Sequence, residues 1–122
     1  MDNKEFGFLM ESRTKKFAIS IIRLSASLPS SSEGRVLKNQ VTKSGTSIGA
    51  NYREANCSRS SADFVNRIKI CQSETNETLY WLEIISEIQM IESEKLQSLI
   101  LEAKELLAIF TSVIAKLKQN KA

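Results

Sequence analysis

One spacing of buried-type residues recurs in four separate stretches and constrains the fold more than anything else in the chain. Met10, Phe17, Ile21, Leu24 and Leu28 step by seven, four, three and four. Leu37, Val41, Ser44, Ile48, Tyr52 and Ala55 follow the same rhythm, as do Phe64, Ile68, Cys71, Thr75, Thr78, Leu82 and Ile85. Leu96, Leu99, Ala103, Leu106, Phe110, Val113 and Leu117 complete the set. Residues three and four apart share one side of an α-helix, so each stretch reads as an amphipathic helix with one face to bury.

Punctuation between the stretches sets the predicted boundaries. Helices are expected at about 8–27, 33–55, 61–91 and 94–119. Pro29 and Ser30-Ser31-Ser32 end the first, because proline cannot continue a helix. Ser32 is placed to cap the second, with Glu33 in its first turn, where the helix dipole favours an acid. Asn56 to Ser60 connect to the third, and Ser60-x-x-Asp63 resembles a capping box. Ser93 is placed to cap the fourth, whose end carries Lys116, Lys118 and Lys121. Four long helices joined by short loops predict an all-α, antiparallel up-down-up-down four-helix bundle, one domain over 1–122.

Composition narrows the function. No apolar run approaches the roughly 20 residues that cross a membrane, and the N-terminus lacks the layout of a signal peptide. Two cysteines make neither a disulfide framework nor a Cys-rich metal site, and there is no histidine. A cytoplasmic protein without cofactor or metal is the expectation. Net charge is +3, unevenly spread: Met1 to Cys71 hold 12 Lys/Arg against 6 Asp/Glu, and Gln72 to Ala122 hold 5 against 8. Such asymmetry fits a polyanion partner or charge pairing between subunits. The cations of the basic part include Lys15, Lys16, Arg23, Arg35, Lys38, Lys43, Arg53 and Arg59. Singly each reads as a solvated side chain; together they could contact nucleic-acid phosphates without reading sequence.

Gly45 and Gly49 lie inside the second helix, where each costs about 1 kcal/mol relative to Ala. Four apart, they bare a strip of backbone on one face, suited to close approach by another helix of the same chain or a second copy. Arg53 follows one turn later on that side. Ile70, Trp81, Ile84 and Ile88 project away from the inner stripe of the third helix, and Ile19 and Ile22 from that of the first. Leftover apolar faces point to a homo-oligomer, with a wide core stripe as the alternative.

No catalytic constellation emerges. Glu74 and Glu77 share a flank of the third helix and could hold a metal or act as acid and base, but di-metal bundles use Glu-x-x-His motifs. Pairing of these acids with Arg13, Arg53 or Arg67 is the favoured reading. Cys71 reads as a small buried hydrophobe, Cys57 lacks a histidine neighbour, and Trp81 reads as a packing anchor.

Ser44-Gly45-Thr46-Ser47-Ile48-Gly49-Ala50-Asn51, with Glu54-Ala55, resembles the signature of the bacterial four-helix-bundle family encoded in 23S ribosomal RNA intervening sequences. Leu28-Pro29, Ser61-Ala62-Asp63-Phe64 and Glu74-Thr75-x-Glu77-Thr78-Leu79-Tyr80-Trp81-Leu82 extend the resemblance over nearly the whole chain. The resemblance implies a ring-like homopentamer with a basic surface and no enzymatic activity. It also implies kinship with the accessory protein of diversity-generating retroelements, which binds nucleic acid and a reverse transcriptase. The resulting expectation is a non-enzymatic oligomer that binds rRNA or other nucleic acid through its backbone. The alternative is an assembly scaffold for a protein partner with no nucleic-acid role.

Overall fold

In a computed structural model that describes residues 1–119, the chain forms four helices and, among the described residues, no strand. They are α1 (Asn3–Ala26), α2 (Ser32–Asn56), α3 (Ser61–Glu87) and α4 (Glu94–Gln119). The arrangement is consistent with a four-helix bundle. Lys121 lies outside the described residues.

Three boundaries differ from the periodicity. α1 starts at Asn3, five residues ahead of expectation, because the Asp2 side chain caps it by accepting from the Glu5 N–H at 2.7 Å. The cap of α2 is Ser31, whose hydroxyl accepts from the Gly34 N–H at 3.1 Å; Ser32 is already helical. α3 stops at Glu87 rather than near 91. Gln89 adopts a left-handed conformation (φ 55°), the Gln89 N–H bonds the Ser86 carbonyl, and the Met90 N–H bonds that of Ile85. Those two bonds close a Schellman turn without its usual glycine. Ser60 and Ser93 do cap as expected, accepting from the Asp63 and Lys95 N–H groups.

The inner stripes form one core. Met10, Phe17, Ile21, Leu24 and Leu28 are buried, as are all the predicted inner residues of α2. On α3, Val65 takes the place expected of Phe64, and on α4 Ile114 that expected of Val113; Phe64 and Val113 pack half-buried against the core. A helix advances slightly more than a strict 3.5-residue repeat, so a long stripe drifts by a position. Tyr52 and Phe110 meet across the centre with ring centroids 6.1 Å apart.

Contacts rise along one helix while they fall along its neighbour. Asn56 Nδ2 donates to the Gly7 carbonyl at 3.3 Å, and the Ser25 and Thr42 hydroxyls lie 2.8 Å apart. Between α2 and α3, Asn51 accepts from Arg67 Nη1 at 3.1 Å, and the Thr78 and Ser44 hydroxyls lie 2.9 Å apart in the core. The latter two also reach backbone carbonyls of their own helices, so these buried hydroxyls are satisfied.

The glycine strip faces α1 of the same chain. A Cβ on Gly45 would sit 2.8 Å from Ile21 Cγ2, and one on Gly49 would meet the Thr14 hydroxyl and backbone at 3.2–3.3 Å. Gly34, which no periodicity singles out, is tighter still: its Cβ would fall 1.9 Å from the Pro29 carbonyl oxygen. The α1–α4 seam is held differently. Arg13 donates to Glu102 through two nitrogens at 2.7 Å each, and to Glu105 at 2.7 Å.

Glycine to alanine ordinarily stabilises a helix interior by about 1 kcal/mol; here the clashes reverse or cancel that gain. Urea unfolding should show Gly34→Ala losing about 2–4 kcal/mol, Gly45→Ala about 1–2, and Gly49→Ala close to neutral. A Gly45→Ala variant more stable than the parent chain would mean that α1 sits further from α2. The Arg13 hydrogen bonds hold the Glu102 carboxyl below its ordinary range, so they stabilise the fold above the unfolded value near pH 4.3 and are lost as pH falls through the lower folded one. Glu102→Gln should therefore cost about 1 kcal/mol at pH 7 and become neutral in strong acid.

Candidate nucleic-acid interface

The cations of the front half sit where the helices leave them, on the outside. Lys15, Lys16, Arg23, Arg35, Lys43, Arg53 and Arg59 are exposed, and Lys38 is half-buried. Lys15 and Arg53 border one groove between α1 and α2, lined also by Glu11, Ala18, Thr46, Gly49, Ala50 and Glu54. The groove exists because Gly49, Ala18 and Ala50 project little or nothing above the backbone where the helices close together. Arg53 Nε lies 3.4 Å from Glu11 Oε1, a mostly exposed pair that leaves the guanidinium open to other acceptors. Arg35 Nε donates to the Ser30 carbonyl at 3.0 Å, which pins it beside the first loop. Among the described residues, no ion pair ties up Lys15, Lys16, Arg23, Lys43 or Arg59.

A second groove lies where α2 passes into α3. It is lined by Glu54, Cys57, Ser58, Arg59, Asp63, Asn66, Arg67 and Ile70. Cys57 is exposed there. Cys71, by contrast, is buried, and burial pushes its thiol up to about 12, so it remains protonated; its Sγ donates to the Ile48 carbonyl at 3.5 Å. Burial likewise pushes Tyr52 up to about 12. Neither group can serve as a nucleophile or base near neutral pH.

The expected arginine partners of Glu74 and Glu77 are engaged elsewhere. Arg13 holds Glu102 and Glu105, Arg53 meets Glu11, and Arg67 bonds Asn51. No ion pair among the described residues involves either acid. Burial, and then the neighbouring Glu77, raise the Glu74 carboxyl above its ordinary range, with Lys43 opposing. Among the described residues, no group of three or more His, Cys, Asp or Glu is placed to hold a metal ion. No helix there is long and apolar enough to cross a membrane.

The apolar residues set aside for assembly divide into two kinds. Ile19, Ile22, Ile70 and Ile88 are exposed, whereas Trp81 and Ile84 are half-buried against the chain's own core. Trp81 stacks edge-on against Tyr80, with centroids 5.1 Å apart, and its Nε1 is buried without a hydrogen-bond partner. Sequence reasoning did not find the Arg13 clasp: an arginine carries no mark of which acid it will meet.

A family model described as 23S rRNA-intervening sequence protein matches residues 10–112. Among solved structures, the chain is similar to a protein of unknown function from the S23 ribosomal protein family of Bacteroides thetaiotaomicron. The two are 35% identical with a TM-score of 0.81, over 89% of this chain and 97% of that one. No curated protein matches.

A carboxyl whose folded value is raised destabilises the fold once it ionises, as pH rises from its unfolded value through the folded one. Glu74→Gln should stabilise the chain at pH 7 by less than about 1 kcal/mol, given how exposed the group is, with no gain at pH 4. Equal gains at both pH values in urea unfolding would show that Glu74 ionises without penalty.

Proposed function

The chain belongs to the 23S rRNA-intervening sequence protein family, and on that premise we propose that it is a non-enzymatic cytoplasmic protein that binds structured RNA or DNA through backbone phosphates. One observation carries this reading: most cations of α1, α2 and the loop after α2 stay exposed, Lys15, Lys16, Arg23, Lys43 and Arg59 meet no acid in an ion pair among the described residues, and Lys15, Arg53, Arg59 and Arg67 border two open grooves. Lysine and arginine on such a surface neutralise phosphates and release condensed counterions, which supplies affinity without base reading. Neither groove is an enclosed cavity of the kind that holds a small substrate, in keeping with binding rather than catalysis.

The reading includes an antiparallel up-down-up-down course for the four helices, supported by the opposed order of the contacts between neighbours. It also includes assembly into a ring-like homo-oligomer, a pentamer by family resemblance. Each subunit would then repeat the same exposed cations, and several weak phosphate contacts would act together. A second reading, a scaffold for a protein partner such as a reverse transcriptase, is favoured by the exposed apolar residues of α1 and α3.

Electrophoretic mobility shift with a structured 23S rRNA fragment separates the two. Binding should weaken steeply between about 50 and 200 mM salt, and Arg35→Gln with Arg53→Gln should lower the slope of log K against log salt by roughly two. Absence of binding at low salt would leave the scaffold reading in its place.

A further inference from the structure

α1 and α3 each carry a second row of residues on the outside. On α1 the row is Phe8, Ser12, Lys15, Ile19, Ile22 and Ala26; on α3 it is Ile70, Glu74, Glu77, Trp81, Ile84 and Ile88. Both rows step by four, three, four, three and four, the spacing of a coiled-coil seam. The α1 row is exposed throughout; the α3 row is exposed or half-buried. Phe8 is 76% exposed and Ile88 55%, large values for apolar side chains in positions that recur so regularly.

We propose that these rows are the two halves of one intersubunit seam, in which α1 of each copy packs parallel and in register against α3 of the next. This rests on the homo-oligomer reading above and names the surfaces it uses. In that register Phe8 meets Ile70, Ser12 meets Glu74, Lys15 meets Glu77, Ile19 meets Trp81, Ile22 meets Ile84 and Ala26 meets Ile88. Apolar residues face apolar residues, the cation faces the anion, and the hydroxyl can donate to the carboxylate. The reversed direction sets Ile19 against Glu77 and Ile22 against Glu74. A slide by one heptad sets either Phe8 or Ile22 against Glu77. Both leave carboxylates on isoleucine or phenylalanine, which buried interfaces penalise.

The seam explains why Glu74 and Glu77 find no cation pair among the described residues of their own chain. It also decides the symmetry. The two rows lie on different helices, so the contact is heterologous and closes only as a ring or runs on as a filament. In the up-down-up-down course α1 and α3 point the same way, so a parallel contact requires a rotation axis along the helices. Lys15 is then spent in the seam, and Lys16, Arg23, Arg35 and Arg53 carry the phosphate contacts.

The test is disulfide capture in a Cys57→Ser background, which removes the exposed native thiol. Phe8→Cys with Ile70→Cys should give a ladder of covalent multimers on non-reducing gels after copper–phenanthroline oxidation. Phe8→Cys with Ile88→Cys should remain monomeric on the same gels. The reverse result would overturn the proposed direction. No ladder from either pair, with wild-type protein still oligomeric by light scattering, would place the interface elsewhere and overturn the seam alone. A monomeric wild type would remove the homo-oligomer reading itself. Circular dichroism establishes that each variant folds.

Discussion

The close approach of α1 to α2 governs what the rest of the structure can do. Gly45 and Gly49 let Ile21 and Thr14 come to within the space a methyl group would occupy. That contact buries Ile21 and Thr14 completely, and the Thr14 hydroxyl is satisfied by the Met10 carbonyl at 2.8 Å. It also brings Glu11 to Arg53 and leaves a groove above the small residues. With α1 seated on one side of α2, the other side is free to meet α3 through Ser44, Ile48 and Asn51. α2 is thus the helix against which two others are positioned, and its low helix propensity is offset by packing that a larger residue would forbid.

Charge is sorted by the same geometry. Glu102 and Glu105 of α4 are drawn into the Arg13 clasp where α1 and α4 would otherwise touch little. Most of the cations of α1 and α2 project outward from helices whose inner faces are already committed. The two populations therefore do not cancel across the bundle. Most cations of α1 and α2 stay exposed, and it is this exposure, more than the net charge of +3, that the nucleic-acid proposal uses.

Beside its inner stripe, each of α1 and α3 carries a second, partly apolar row on the outside, an expensive arrangement for a chain that works alone. Isolated exposed isoleucines are ordinary on protein surfaces; rows with matched spacing and opposite charges at their centres are not. The proposed seam accounts for both rows with one contact. It also reconciles the glycine strip with the proposed assembly: the strip shapes the chain internally, which leaves the outer rows as the proposed surface between copies.

Much of the fold was legible from residue spacing, because the side that a residue occupies on a helix depends only on its distance along the chain. The four helices, the inner stripes and the caps at Ser60 and Ser93 follow from that local rule. The exposure of most of the basic residues was legible for a related reason: polar side chains off the inner stripe end up in solvent. What the sequence could not determine depends on groups far apart in it. The tertiary structure decided that the glycine strip receives α1 of the same chain, that Gly34 must leave room for Pro29, and that Arg13 meets Glu102 rather than Glu74. It also ended α3 at a left-handed Gln89, where the local pattern ran on without a glycine or proline. Each of these outcomes is set by which surfaces come together, and a contact between distant residues leaves no periodic trace in either segment.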